Sequence, residues 1–235
     1  GLASTSGHPR ASRASGGVHF LGARSGIIVA GPHYVFALDS MASLCLVQSQ
    51  VHEFWARFFS ATFGDGLRYT PSDCFETFPF PEGWDTHPAL DAAGRAYYDF
   101  RAALMVRNDE GLTKTYNRFH DEGERDPEIL KLRELHAAMD RAVLDAYGWG
   151  DISTDCAFVA DFTEEDEEGN EVGKSVRYRW PDVVHDEVLA RLLALNAQRA
   201  KEERLFAAGV EGLPKQRRPR RTSTGTDSAT SLFFD

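Results

Sequence analysis

Residues 126–148, DPEILKLRELHAAMDRAVLDAYG, contain the start, the apolar face and the end of one long helix. Asp126 is a favoured N-cap residue, and Pro127 suits the first helical position. Apolar residues then recur at spacings of three and four, the repeat of a helix with one buried face. They are Ile129, Leu132, Leu135, Met139, Val143 and Ala146. Because Gly148 ends the pattern, the stretch predicts an amphipathic helix of about five turns, against which neighbouring elements pack.

The sequence around this helix predicts further helices and one hairpin. A helix is expected at about Pro88–Val106, and Leu112–His120 fits either a short helix or an ordered loop. Cys156–Phe162 and Ser175–Trp180 are β-rich runs on either side of an acidic turn, so they predict a hairpin. Pro181-Asp182 opens a last helix. Its inward apolar residues are Val184, Val188, Leu192 and Leu195.

The front of the chain combines short strands with a helix. Three β-rich runs separated by Gly, Ser and Pro predict a small antiparallel meander; they are Val18–Gly22, Gly26–Ala30 and Tyr34–Leu38. A helix capped by Asp39 or Ser40 then runs to about Phe63. Leu67–Pro81 is expected to be extended because it contains three prolines. The predicted fold class is therefore α+β: a meander plus a helix, followed by a mainly helical region with one β-hairpin.

Charge is distributed unevenly along the 235 residues, whose net charge is −10. Residues 18–208 hold 19 basic and 33 acidic residues, a net of −14, whereas both ends are basic. This balance excludes a wholly basic nucleic-acid coat. Residues 1–17 are small and polar, and they are expected to be a disordered or severed linker, since the chain begins without Met. Residues 209–235 are expected to be a flexible basic tail that either contacts phosphates or is simply solvated.

The sequence contains no signal for a membrane or a secretory route. No apolar run approaches the ~20 residues that cross a bilayer, and no basic head precedes an apolar core. The cysteines Cys45, Cys74 and Cys156 are far apart and odd in number, which speaks against a disulfide framework or a zinc cluster. These features predict a cytoplasmic protein without a membrane partner.

Motifs for catalysis, cofactor binding and metal binding are missing from the sequence. His52-Glu53 begins like the zinc signature H-E-x-x-H, but Ala56 occupies the position of the second histidine. His52 is therefore interpreted as a partly exposed helix residue. Gly64-Asp65-Gly66 follows a helix instead of preceding one, which is the wrong order for a dinucleotide turn. Cys74 has no paired base and is interpreted as a packing thiol. We expect no catalytic, cofactor-binding or metal-binding residue in this chain.

Two polar clusters lie between the predicted helices and have the composition of a DNA-contacting surface. The first is Arg68, Tyr69 and Thr70, and the second is Lys114, Thr115, Tyr116, Asn117, Arg118 and His120. Arginine and lysine bind phosphates or guanine edges, asparagine binds adenine, and tyrosine stacks on an unpaired base. The alternative for both clusters is an interdomain hydrogen-bond network, and both interpretations remain open at this point.

Five segments together resemble the C-terminal part of large bacterial adenine-specific DNA methyltransferases of restriction-modification and phage-defence systems. That family includes the fused Type IIG restriction-methyltransferases and enzymes of the phage-growth-limitation type. The segments are Val47–Ala56 (VQSQVHEFWA), Leu67–Pro81 (LRYTPSDCFETFPFP), Leu112–Asp121 (LTKTYNRFHD), Leu132–Trp149 (LRELHAAMDRAVLDAYGW) and Tyr178–Pro181 (YRWP). Their order and spacing carry the resemblance, which covers roughly residues 18–205.

The resemblance implies an organisation without a catalytic domain. Family members bind S-adenosylmethionine through a Gly-rich loop and hold the flipped adenine with an Asn/Asp-Pro-Pro-aromatic tetrapeptide. This chain has no Pro-Pro pair and no such loop, and Phe78–Pro81 lacks the Asn or Asp. The resemblance therefore implies that residues 18–83 are the distal part of a target-recognition domain. Residues 84–208 are then the helical region behind it, with the hairpin at 156–180.

The resemblance also implies a function, partners and site residues. The chain is expected to be the C-terminal DNA-recognition segment of a site-specific adenine-N6 DNA methyltransferase. Its partners are double-stranded DNA and the upstream methyltransferase domain of the parent, which uses S-adenosylmethionine. The candidate DNA-binding residues are Arg57, Arg68, Tyr69, Thr70, Lys114, Asn117 and Arg118. The alternative is an acidic protein-interaction module of a defence complex without DNA contact, which the net charge of −14 between residues 18 and 208 favours.

Overall fold

The computed structural model of this chain describes residues 36, 38, 40–63, 66–165 and 171–211. Its helices, in chain order, are α1 (Met41–Gln48), α2 (Gln50–Phe59), α3 (Pro71–Cys74), α4 (Pro88–Asn108), α5 (Leu112–Phe119), α6 (Pro127–Ala146) and α7 (Asp182–Glu211). A 3-10 turn spans Trp84–Thr86. Its strands form two antiparallel hairpins, β1 (Ala61–Phe63) with β2 (Gly66–Arg68), and β3 (Ala157–Glu165) with β4 (Glu171–Arg179).

The α+β class predicted from the sequence is confirmed. The helix that opens at Pro127 is α6, where Asp126 caps the first turn by accepting from the Glu128 N–H at 2.8 Å. The expected helix at Pro88–Val106 is α4, and Leu112–Phe119 is helical instead of an ordered loop. The predicted meander lies outside the described residues apart from positions 36 and 38, as do residues 1–17 and, beyond residue 211, the predicted tail.

The single helix predicted from residue 40 to about Phe63 is wrong, because two helices meet at Ser49. Ser49 is extended, its hydroxyl donates to the Leu46 carbonyl at 2.7 Å, and the same oxygen accepts from the His52 N–H at 3.4 Å. A serine side chain competes with helical backbone bonds in this way and favours a cap. The repeat of apolar residues continues across the break, so the pattern alone does not reveal it.

Two smaller corrections follow in the next segment. The chain leaves α2 at Phe59 and forms the β1–β2 hairpin, in which Phe63 pairs with Gly66. The stretch Leu67–Pro81, predicted to be extended, contains the short helix α3. Pro71 is its first residue, a position where the missing N–H of proline costs nothing because that group has no helical partner.

The core of the first unit lies between α1, α4 and α6. Side chains with no exposed surface include Leu46, Leu90, Leu104, Leu132 and Met139. Gly94 of α4 lies directly against α1, where an added Cβ would come within 2.2 Å of the Met41 carbonyl oxygen. Only glycine permits this approach, so the α1–α4 packing depends on that residue.

The chain divides into two compact units, residues 1–197 and residues 198–235. The boundary predicted between residues 83 and 84 lies inside the first unit. In the second unit the described part is the end of α7, where the side chains from 201 to 207 are exposed. None of the described helices is both long and apolar enough to cross a membrane.

Candidate functional site

A cavity of about 140 Å³ opens in the first unit, where α2, α5, α6, β4 and the start of α7 meet. Five of its lining residues carry a full charge: Arg57, Arg177, Arg179, Glu53 and Asp182. Three histidines, several aromatic rings and two glutamines complete the wall. Among the described lining residues, three guanidiniums accompany two carboxylates, a net charge of +1 in a chain of net −10. We call these five residues the cavity cluster.

One carboxylate oxygen in the cavity wall contacts two arginines. Oε1 of Glu53 accepts from Nε of Arg57 at 2.9 Å and lies 3.2 Å from Nη2 of Arg177. Burial by itself raises the pKa of Glu53, but the guanidiniums of Arg177 and Arg57 outweigh it and hold that pKa well below its ordinary value. Glu53 is therefore ionised, and the two arginines converge on it.

His120 lies beside Arg177. Its Nδ1 is 3.2 Å from the backbone N of Tyr178, and its Nε2 is 3.4 Å from Nη2 of Arg177. Both neighbours are donors, and a neutral imidazole accepts at one ring nitrogen, so the tautomer decides which of the two contacts is the hydrogen bond.

A buried hydrogen-bond network forms the base of the cavity. The carboxylate of Asp140, which has no exposed surface, accepts from the Gln50 backbone N–H at 2.9 Å and from Gln50 Nε2 at 2.8 Å. It also accepts from Nδ1 of His136 at 3.1 Å. Burial lowers the pKa of His136, but the charge of Asp140 and this hydrogen bond raise it overall. Oε1 of Gln50 in turn accepts from the Trp180 N–H at 2.8 Å, so the network ties α2 to α6 and to the end of β4.

The remaining charged pair closes one side of the cavity. Nη1 of Arg179 donates to the Trp180 carbonyl at 3.1 Å and to Oδ1 of Asp182 at 2.7 Å, which joins the end of β4 to the start of α7. His185, one turn further along α7, packs edge-on against Phe54 with ring centroids 4.4 Å apart. These contacts hold the end of β4, which carries Arg177 and Arg179, against the start of α7.

The first group of candidates from the sequence comprises Arg57 on α2 and the segment Arg68–Thr70. Arg57 lines it, with 30% of its side chain exposed. Arg68 is the last residue of β2, and Thr70 precedes α3 and is half-buried. Tyr69 is also half-buried, and its hydroxyl lies 3.2 Å from Nε2 of His52. Burial raises the pKa of Tyr69 well above its ordinary value.

The interpretation of His52 as a partly exposed residue is wrong. His52 has no exposed surface, because its ring lies between Tyr69 and Phe78, with centroids 5.8 and 4.9 Å away. This burial lowers the pKa of His52 to about 4. The helical pattern of α2 does not reveal it, since the segment that covers His52 is an irregular one about 20 residues further along the chain.

The second group of candidates lies on α5, outside the cavity lining. Arg118 binds three carboxylates at 2.7 to 3.4 Å; they are Glu110, Glu124 and Asp126. We call these four residues the Arg118 cluster. Lys114 forms an exposed pair with Glu110 at 3.2 Å, and Asn117 is exposed. Among the candidates whose side chains the structure describes, only Arg57 lines the cavity, whereas Arg118 is bound by three carboxylates and the exposed Lys114 pairs with one, Glu110.

The sequence interpretation missed most of the cavity cluster. Arg177 and Arg179 belong to none of the polar clusters that it singled out. A signal was present, because residues two apart on a strand lie on the same face, and these arginines flank the tyrosine of the YRWP segment. Glu53 was considered only as part of an incomplete zinc motif. The partner of Arg177, Glu53, lies 124 positions away in the chain, so no local pattern predicts that pair.

The thiols and potential metal ligands show no second site in the described residues. Cys74 is buried, as expected for a packing thiol, and its Sγ lies 3.6 Å from the Ala56 carbonyl oxygen. Burial raises the pKa of Cys156 to about 12. No group of three or more His, Cys, Asp and Glu side chains in the described part of the chain is arranged to hold a metal ion. Comparison with protein-family models, with curated proteins and with solved structures found no match for this chain.

Proposed function

We propose that this chain is the DNA-contacting C-terminal region of a site-specific adenine-N6 DNA methyltransferase, and that the cavity is its contact point. The parent enzyme transfers a methyl group from S-adenosylmethionine to a flipped adenine. This region holds and selects the DNA, alongside an upstream methyltransferase domain, and it supplies neither the cofactor site nor a catalytic residue.

The observation that carries the proposal is the convergence of the resembling segments on the cavity. Val47–Ala56 contributes Glu53, Leu112–Asp121 contributes His120, and Tyr178–Pro181 contributes Arg179. Gln50 and Trp180 are 130 positions apart and are joined by a hydrogen bond at the base of the same cavity. Segments that shared only a composition with the family would have no reason to line one cavity. Their convergence supports a shared functional site.

The chemistry of the cavity also supports contact with DNA. Arginine presents planar, charged donors that match phosphate oxygens and guanine edges. The lining is positive by one charge although the chain is acidic. An acidic protein that approaches DNA needs a local basic site of this kind, because its overall field is repulsive.

The Arg118 cluster favours a second candidate, a protein-interaction module. Three carboxylates surround one guanidinium, which gives that cluster a net charge of −2. The face built around it suits a basic protein surface and repels a phosphate backbone. In this second function the cavity network is purely structural.

Fluorescence anisotropy of labelled duplex DNA, titrated with the full chain at about 50 mM salt, separates the two functions. We expect the chain to bind and Arg57→Gln to weaken binding severalfold. Arg95→Gln is a matched control, because Arg95 forms the same kind of i,i+4 helix pair with Asp91 on the exposed face of α4. Absence of DNA binding, or equal affinities of the two variants, contradicts the proposal.

Calorimetric titration of the same chain with S-adenosylmethionine tests the other half of the proposal. We expect no heat of binding, because the cofactor site belongs to the upstream domain. Micromolar affinity contradicts the assignment of this chain as a region without its own cofactor site.

A further inference from the structure

We infer that the base of the cavity binds one neutral, planar nitrogen heterocycle of about the size of a pyrimidine, whose edge forms a hydrogen bond with Nε2 of His136. Free nucleobases and nucleosides carry such a ring, and so does an unpaired base of a nucleic acid. The inference goes beyond the proposed function, because a free heterocycle enters this site without DNA.

His136 is a buried side chain with one ring nitrogen that faces a ligand instead of the protein. The residue lies on α6, lines the cavity and has 11% of its side chain exposed. Its Nδ1 is 3.1 Å from the carboxylate of Asp140. Within the described part of the chain, Nε2 has no hydrogen-bond partner, and it is not one of the enclosed polar atoms. The ring therefore presents Nε2 to the cavity.

The carboxylate behind the ring determines what Nε2 offers to a ligand. Asp140 also accepts two N–H groups of Gln50, so we assign the Nδ1 proton of His136 to the bond with Asp140. Nε2 then accepts a hydrogen bond when the ring is neutral and donates one when the ring is protonated. A ligand edge with an N–H donor beside a ring nitrogen or a carbonyl satisfies both forms. A group that only accepts or only donates satisfies one of them.

The charged groups of the described wall have partners of opposite sign, which favours a neutral ligand. Glu53 lies within 3.2 Å of both Arg57 and Arg177, and Arg179 lies 2.7 Å from Asp182. Burying a further charge costs free energy unless that charge gains a partner of its own. A neutral heterocycle avoids this cost and still uses the hydrogen bond at His136.

The size and the walls of the cavity suit a single flat ring. Its volume of about 140 Å³ is close to the ~150 Å³ that holds a benzene ring. Phe54, Tyr116, Phe119 and Tyr178 line it, and the ring centroid of Phe119 is 5.5 Å from that of His136. Aromatic side chains pack favourably against flat rings in offset or edge-on arrangements. A six-membered heterocycle therefore matches both the volume and the lining.

The direct test is an NMR titration of the full chain with free cytosine, a neutral pyrimidine whose amino group lies beside a ring nitrogen. The eight histidines are labelled with carbon-13, and the His136 signal is assigned by its absence in His136→Gln. We expect a saturable shift of that signal with a Kd of about 1 mM or tighter. We also expect nuclear Overhauser contacts from cytosine to the rings of His136 and Phe119. No saturable shift up to about 20 mM cytosine contradicts the inference.

Matched variants separate a hydrogen bond from a space-filling role of the imidazole. His136→Phe keeps a flat ring and removes Nε2, so we expect the affinity for cytosine to fall about tenfold. His136→Gln retains a donor and an acceptor and is expected to recover part of that loss. His87→Gln is the control with unchanged affinity, because His87 is a half-buried histidine that caps α4 outside the described lining. Equal affinities of the natural chain and a folded His136→Phe, verified by circular dichroism, overturn the inference.

A series of ligands tests the chemistry on the natural chain, without any variant. Benzene matches the ring size but has no hydrogen-bonding edge, and benzoate adds a negative charge. We expect both to bind at least about fivefold more weakly than cytosine. Benzene that binds as tightly as cytosine identifies a purely apolar cavity, and benzoate that binds more tightly identifies an anion site. Either result overturns the inference.

Competition with DNA identifies the source of the ring. If a base of DNA occupies the site, a duplex with one unpaired cytosine displaces free cytosine at lower concentration than a fully paired duplex does. Equal effects of the two duplexes assign the site to a free heterocycle. A chain that binds duplex DNA but no cytosine contradicts this inference and leaves the proposed function standing. A chain that binds cytosine but no duplex contradicts the proposed function and leaves this site standing.

Discussion

The cavity cluster and the Arg118 cluster use the same residue types with opposite charge balance. In the cavity, three arginines share two carboxylates, and the net charge is +1. Around Arg118, one arginine faces three carboxylates, and the net charge is −2. One of those carboxylates, Asp126, also caps α6. The Arg118 cluster therefore joins α5 to the start of α6, whereas the cavity cluster joins β4 to α2 and to the start of α7.

Under the proposed function, the number of surrounding acids separates a structural arginine from one that contacts DNA. Both Arg57 and Arg118 follow aromatic-rich helical patterns in the sequence and carry the same charge. The partners that differ come from other elements: Arg177 on β4 joins Arg57 at Glu53, whereas nearby acidic residues enclose Arg118. Variants in the two clusters should therefore separate effects on stability from effects on binding.

The largest effect is expected at the base of the cavity. Asp140→Ala removes the acceptor of three buried donors on Gln50 and His136, so we expect the free energy of unfolding to fall by about 3 kcal/mol. Urea denaturation measures this change. The control is Asp145→Ala on the same helix, where the lost pair with Arg141 is exposed and worth below about 0.5 kcal/mol. Equal losses in the two variants contradict a structural role for the network.

A smaller effect is expected in the Arg118 cluster. Arg118→Gln leaves three carboxylates close together without their shared cation, so we expect a loss of about 1 kcal/mol in the free energy of unfolding. The same urea experiment measures it. Lys114→Gln is the control on the same helix, since its exposed pair with Glu110 contributes below about 0.5 kcal/mol. A variant at Arg118 as stable as the one at Lys114 contradicts the structural role assigned to this cluster.

The smallest effects are expected in the pH dependence of stability, and the two clusters differ in its direction. The hydrogen bond from Arg118 lowers the pKa of Glu124 to about 2, so its stabilising contribution is present above the ordinary value of 4.5 and is lost between pH 4.5 and 2. Burial lowers the pKa of His136, but the charge of Asp140 and its hydrogen bond outweigh burial and raise that pKa above 6.5. Its contribution is therefore complete below pH 6.5 and is lost as the pH rises through the higher value.

Urea denaturation across the pH range checks both directions. Arg118→Gln is expected to weaken the dependence of the free energy of unfolding on pH below pH 4.5. His136→Gln is expected to weaken that dependence above pH 6.5. Burial lowers the pKa of His52 to about 4, so this residue adds a loss of stability as the pH falls from 6.5 to 4. Neither variant removes that loss. If Arg118→Gln changes the pH dependence above pH 6.5 and His136→Gln changes it below pH 4.5, the electrostatic assignment of the two clusters is wrong.

Local signals in the sequence were sufficient for most helices and insufficient for the cavity. The cap, the apolar repeat and the final glycine predicted α6 because all three act within a few residues of one another. The break at Ser49 was missed because its cause is one hydroxyl that competes with the backbone. Arg177 was missed because its role depends on meeting Glu53 of α2, and no local pattern encodes a contact between positions more than 100 residues apart.

The central claim is that DNA contacts the cavity cluster and not the Arg118 cluster. The most direct measurement is the affinity of duplex DNA for Arg57→Gln and for Arg118→Gln, in parallel titrations with the natural chain at about 50 mM salt. We expect a loss of about threefold or more for Arg57→Gln and a change within about twofold for Arg118→Gln. A larger loss for Arg118→Gln than for Arg57→Gln contradicts the assignment of the cavity as the DNA contact.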